Sequence, residues 1–261
     1  MFHTVAYTDS TAAAQTDTDI PLASDPSVTV LNGHPLFQIP LWIQWIYASG
    51  LTMTRVRLSA PKFRTIARPV INPVDQSATP TENIRIFEYW RHPLQLNPVE
   101  EIQFLRTNTT GVAERDFVVL TVGDNQRNVP QGDLYATRAT TAFTPTVATW
   151  TAGVITVDDI LQVGRYSIIG ARVNNTGGIA ARFIFPGAPV QGGLPQIRPG
   201  TLVAQNNAQE AYYWMRYGMM GEYGQFESFA LPQVEVMAAV AAANPEVFLD
   251  IIPVRVGARA Q

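Results

Sequence analysis

The sequence predicts an all-β chain, a sandwich or jelly roll of short strands, with one fold written twice. Three observations carry this. Short apolar runs recur at regular spacing between Pro, Gly and Asn, the pattern of antiparallel sandwiches. Two stretches repeat: Glu88-Tyr89, Pro98, Glu101 and Ile102 return as Glu222-Tyr223, Pro232, Glu235 and Val236, a constant offset of 134 (88 to 222, 98 to 232, 101 to 235). An earlier pair repeats at 114: Gly50 and Ala67-Arg68 return as Gly164 and Ala181-Arg182. The offsets differ by 20, and residues 186–211 (PGAPVQGGLPQIRPGTLVAQNNAQEA) are the expected insertion. Third, 261 residues suffice for one large β domain or two ordinary ones.

In chain order, residues 1–25 are small and polar and predict an extended N-terminal arm. Residues 28–31 form a short strand closed by Asn32-Gly33, a turn dipeptide. Residues 36–47 (LFQIPLWIQWIY) are the most apolar stretch. Pro40 breaks a helix there, leaving one or two buried strands or an aromatic surface patch against lipid or a partner. Residues 52–58 alternate, with Met53, Arg55 and Arg57 on one face. Strands follow at 64–71, 83–89, 101–105 and 117–122. Residues 123–132 lack a hydrophobic period and are the expected link, so the first unit spans 26–125 and the second 126–261. The second unit predicts strands at 136–141, 154–157, 166–173, 180–185, 212–217, 233–240 and 246–256. Residues 158–163 (DDILQV) predict a short helical turn capped by aspartate. Residues 236–243 (VMAAVAAA) favour helix by composition, but their counterpart in the repeat is β-like and a strand is expected.

Composition narrows the function. Hydrophobic residues make up 46% and charged ones only 15%, a surface suited to extensive contacts. Lys62 is the only lysine among 18 basic residues. Arginine suits buried interfaces and lysine avoids them, although a GC-rich genome would give the same bias. Net charge is −3 with no basic run, which argues against direct nucleic-acid binding. Cysteine is absent, removing disulfides, zinc thiolates and thiol catalysis. The N-terminus lacks the features of a signal peptide, and no run approaches the ~20 apolar residues of a membrane span.

No motif carries chemistry. His3, His34 and His92 are scattered and are expected to be ordinary turn or tail residues. GxSxG, GK[ST] and GxGxxG patterns are missing. Glu100-Glu101 and Asp158-Asp159 are acidic pairs, but neighbours on a strand point to opposite faces rather than into one cleft. Asp124, Asn125 and Asp133 could hold calcium in a loop, without EF-hand spacing; a solvated turn is the plainer reading. The run Tyr212-Tyr213-Trp214-Met215-Arg216-Tyr217 could stack sugars or bases, but alternate rings filling a core explain it as well. No catalytic, metal or cofactor-binding residue is assigned, and no enzymatic activity or cofactor is expected.

Two similar β-rich halves, little charge, no cysteine, no active-site motif, a polar arm and a Pro/Gly-rich insertion together resemble the double-jelly-roll major capsid proteins of tailless icosahedral viruses. That lineage includes adenoviruses, tectiviruses and small corticovirus-type phages. The resemblance covers about residues 28–256 and rests on architecture, so no residue role transfers from it. It implies two tandem eight-stranded jelly rolls, a homotrimer forming a pseudo-hexameric capsomer, an icosahedral shell, and location in the virion after assembly in the host cytoplasm. It implies the chain itself as partner, then minor capsid or vertex proteins, and in many such phages an internal membrane. The other function expected is a β-sandwich carbohydrate- or receptor-binding virion protein using residues 212–217.

Overall fold

The computed structural model describes residues 2–39, 41–63, 69–71, 73, 87–88, 94–109, 114–124, 131–175, 177–187, 193–195, 222–241 and 244–254. Apart from one 3-10 turn at Pro61–Phe63, every regular element among them is a strand. None of their helices is long and apolar enough to cross a membrane. The first half holds β1 (Phe2–Thr11), β2 (Gln15–Asp19), β3 (Val30–Leu31), β4 (His34–Pro35), β5 (Leu41–Ser49), β6 (Met53–Ser59), β7 (Val70–Ile71), β8 (Phe87–Glu88), β9 (Leu94–Leu96), β10 (Gln103–Asn108) and β11 (Glu114–Gly123). The second holds β12 (Tyr135–Thr141), β13 (Thr151–Val157), β14 (Arg165–Asn174), β15 (Gly178–Ile184), β16 (Gly193–Pro195), β17 (Gly224–Glu227), β18 (Gln233–Ala238) and β19 (Glu246–Pro253).

The chain is all-β, built of several antiparallel sheets. One first-half sheet runs β1-β11-β5-β8, with β9 also on β5, and the other runs β2-β10-β6-β7. The β3-β4 hairpin stands apart, its turn made by Asn32 and Gly33 with φ of 51° and 82°, as the dipeptide predicts. The second half forms one continuous sheet, β16-β15-β18-β13-β12-β19-β14-β17. Divided between β13 and β12, it reads β12-β19-β14-β17 and β13-β18-β15-β16. Both halves therefore share one order of eight strands once β3-β4 is set aside and β8 and β9, which both pair with β5, are counted as one strand. The first strand lies beside the last, the last beside the third, and the third beside the sixth. The second lies beside the seventh, the seventh beside the fourth, and the fourth beside the fifth.

The registers agree residue by residue. Arg57 pairs with Leu105 and with Val70, at the places where Arg182 pairs with Glu235 and with Gly193. The third strand carries a bulge at the same point in each half. Ile43 and Trp45 pair with Val122 and Thr121, skipping Gln44; Ile168 and Gly170 pair with Ile251 and Asp250, skipping Ile169. Thr4 pairs with Thr121 as Ala136 pairs with Asp250. So Thr4 corresponds to Ala136, Ala6 to Arg138, and Arg57 to Arg182.

The first 25 residues are not a free arm. Residues 2–11 pair along their whole length with β11, and β2 pairs with β10. Val5 and Tyr7 enter the first core while Phe2 and Ala6 join the second. Small and Thr-rich sequence, polar by composition, fits a strand covered on both faces. The expected helical turn at 158–163 is also absent: Asp158 pairs with Arg138 and Asp159 accepts a bond from Thr137, so their carboxylates tie the segment to β12.

Strand alternation explains why residues 41–48 are almost uniformly apolar. Ile43, Ile46 and Ala48 line the first half's own core, whereas Trp45 and Tyr47 join the cluster built around the second half. On β11, Val118, Leu120 and Val122 face inward while Phe117 and Val119 face the second half. A sheet buried on both faces loses the polar–apolar alternation of a half-exposed strand.

Candidate functional site

Among the described residues, the joint between the halves holds a buried polar site that links the two. Its centre is Arg182 on β15, fully buried. Nη1 and Nη2 donate to the two Asp25 carboxylate oxygens at 2.6 and 3.2 Å, and Nη1 also donates to the Thr4 carbonyl at 2.9 Å. Nε donates to Glu235 at 2.5 Å. The guanidinium lies over the Trp150 ring, 4.2 Å from its centroid. Thus a second-half cation is held by a first-half carboxylate and a first-half backbone. Arginine alone offers this flat, multiply donating group.

Around it the contact is apolar. Phe2 meets Tyr223 at a centroid distance of 6.4 Å, and Tyr223 meets Phe183 edge-on at 6.5 Å. Burial pushes the Tyr223 hydroxyl far above its usual pKa. Burial alone would raise the Asp25 carboxyl, but the bonds and charge of Arg182, with bonds from Ser27, hold it below the usual carboxylate range. His3 is lowered to about 4, first by burial and then by the Arg182 charge, with Asp25 opposing.

The joint uses the outer face of β1-β11-β5 on one side and of β18-β15 on the other. Their counterparts remain more open. On the first half's second sheet, Arg55 and Arg57 are about one-third exposed and pair with Asp17 at 3.1 and 3.2 Å. On the second half's first sheet, exposed Arg138 bridges Asp158 and Glu246. Nearby, Arg172 lies over the Phe248 ring at 5.7 Å.

Within the first half, buried Arg106 ties four strands together. It donates to Gln15 at 2.7 Å, Asp116 at 2.9 Å and Asp9 at 2.6 Å. The sequence gives no local signal for this network, because the partners of Arg106 lie up to 97 residues from it.

The residues weighed for chemistry disperse. His3 lies in β1 and His34 in β4, and both are buried rather than in turns or tails. His34 Nε2 sits 3.2 Å from Asp19 and 3.5 Å from Glu101. Glu100 accepts from the Lys62 and Asn97 backbone amides at 2.6 and 2.8 Å, fixing turns. His92, Asn125 and residues 212–217 lie outside the described residues, as do most of 186–211. The described part of that expected insertion includes β16, a sheet strand. Among the described residues, no group of three or more His, Asp or Glu could hold a metal ion.

No protein-family model matches the chain, and no curated protein matches it. Among solved structures it is similar to the crystal structure of the major capsid protein P2 from bacteriophage PM2. The match has 9% identity and a TM-score of 0.24, over 98% of this chain and 100% of that one. A likeness at that TM-score carries no functional weight beside the strand order and faces described above.

Proposed function

We propose that the chain is a structural virion protein, a major capsid protein of two tandem jelly rolls that trimerises and builds an icosahedral shell. The two rolls span about residues 2–124 and 131–254, and the role is non-catalytic. The nested order of eight strands, with β8 and β9 counted as one, is that of a jelly roll, and its recurrence as two sheets in the first half and one continuous sheet in the second, with a shared bulge, supports the architecture.

The observation that carries the assembly reading is how the halves meet. The contact is heterologous: the first-strand sheet of one half packs on the second-strand sheet of the other. A head-to-tail contact between similar units can repeat until it closes. The unused faces, β2-β10-β6-β7 of the first half and β12-β19-β14-β17 of the second, are the pair needed to repeat it. Three chains then place six similar units around a ring, which suits a hexagonal lattice. The Arg-rich, Lys-poor composition fits surfaces meant for contact. Negative-stain microscopy of the purified protein tests this. Shells or hexagonal plates are expected; a field of dispersed single chains at high concentration overturns it.

A further inference from the structure

The internal joint is a template for the contact between copies. Arg57 occupies on β6 the position that Arg182 occupies on β15, since both pair with the third residue of the seventh strand. The groups that receive Arg182 also have counterparts. The Thr4 carbonyl corresponds to that of Ala136. The segment bearing Asp25 runs along the open edge of β1, where the Ala23 amide donates to the Ala6 carbonyl at 2.9 Å. In the second half the Asp158 amide donates to the Arg138 carbonyl at 2.9 Å. Ala6 corresponds to Arg138, so the connection with Asp158 and Asp159 occupies the place of the one with Asp25.

Burial differs between the two sets. Thr4 and Ala6 are covered by the second half, while Ala136 and Arg138 are exposed. Arg182 is fully buried, while the Arg57 side chain keeps about 32% exposure. The donor and receptor that are joined inside the chain therefore recur, unjoined and open, on its two outer faces. Among the described residues Arg57 is bonded to Asp17, at 3.2 Å in a pair about one-third exposed. Such a pair contributes little, and Arg55 also binds Asp17, so Arg57 can change partner at small cost.

We propose that Arg57 of one copy docks on a second copy at the start of β12, against the Ala136 carbonyl and the carboxylates of Asp158 and Asp159. This rests on the self-assembly reading and names the contact that closes the ring. A single arginine then serves at each of the six joints, Arg182 within chains and Arg57 between them. Its partner on the seventh strand differs: Glu235 flanks Arg182, whereas Leu105 flanks Arg57. The joint between copies thus holds one carboxylate fewer from the arginine's own sheet and depends more on the acidic pair across it.

The test is charge reversal read by light scattering, with urea unfolding as the control for folding. Arg57→Glu is expected to weaken trimer formation by roughly tenfold or more, as like charges meet across the contact, with the unfolding midpoint of the isolated chain unchanged. Asp158→Arg with Asp159→Arg is expected to do the same, and combining all three changes restores trimers. A wild-type trimer unaffected by Arg57→Glu, or a triple variant no better than the single one, overturns the proposal and leaves the shell reading intact. A wild-type protein that stays a single chain overturns both.

Discussion

Replacing Arg182 by methionine keeps the length of the side chain and removes its charge. Four hydrogen bonds go with the guanidinium: two to Asp25, one to Glu235 and one to the Thr4 carbonyl. The Asp25 side chain is 1% exposed, so its carboxylate is left buried and unpaired. Breaking a buried pair in this way costs about 3–5 kcal/mol. Changing the whole group together (Arg182→Met, Asp25→Asn, Glu235→Gln) leaves no orphaned charge and recovers much of that loss. The pH dependence has a definite sign. In the native protein the Asp25 pKa is depressed, so its contribution is present above the ordinary carboxylate range and is lost as pH falls through the lowered value. Without Arg182, burial raises Asp25 instead, and protonation relieves the strain. The penalty of the single variant is then greatest near pH 7 and shrinks on acidification. Urea unfolding of both variants across pH 4–7 measures this. A single variant within about 1 kcal/mol of wild type, or a triple variant that recovers nothing, refutes the reasoning.

His3 gives a second pH effect. Its folded pKa of about 4 lies below the ordinary histidine value of 6.5. The unfolded chain therefore takes up the proton first, and stability falls by up to about 3 kcal/mol as pH drops from 6.5 to 4. His3→Gln should flatten that slope in unfolding curves, and an unchanged slope would contradict the assignment. Gly50 and Gly164 should differ sharply when changed to alanine. A methyl at Gly50 would strike the Asp116 carboxylate and Met53, at an expected loss of about 1–3 kcal/mol, whereas nothing lies within 4 Å of one at Gly164. Thermal melting separates the two. For the free faces, a variant with Arg57→Cys and Ala136→Cys should form covalent trimers with a thiol-specific cross-linker spanning about 10 Å, the spacing of packed sheets, because the chain has no other thiol; monomers alone would count against the head-to-tail contact.

The class of fold was legible in the sequence, and so were most strands. Alternation marked β6, apolar runs bounded by turn residues marked β11 and β14, and Asn32-Gly33 marked its hairpin. A common strand order recurs in the two halves, but the repeated residues that predict a duplication do not correspond in register. Arg182 matches Arg57, 125 positions away, rather than Arg68. Glu235 matches Leu105, 130 positions away, rather than Glu101. Each connection differs in length between the halves, so the offset changes from strand to strand and no constant spacing can follow it. What the halves share is the direction each side chain faces: Val118, Leu120 and Val122 point inward as Val247, Leu249 and Ile251 do. The polar start of the chain concealed β1 for a related reason. Its small side chains are covered by a neighbour that cannot be read from local pattern. The Arg182 joint was invisible because Asp25 lies 157 residues from it.

The mass of the purified protein in solution tests the central claim most directly. Light scattering should give about 86 kDa, three times the 28.7 kDa chain, and that value should persist on dilution. A mass of one chain at every concentration would contradict the account.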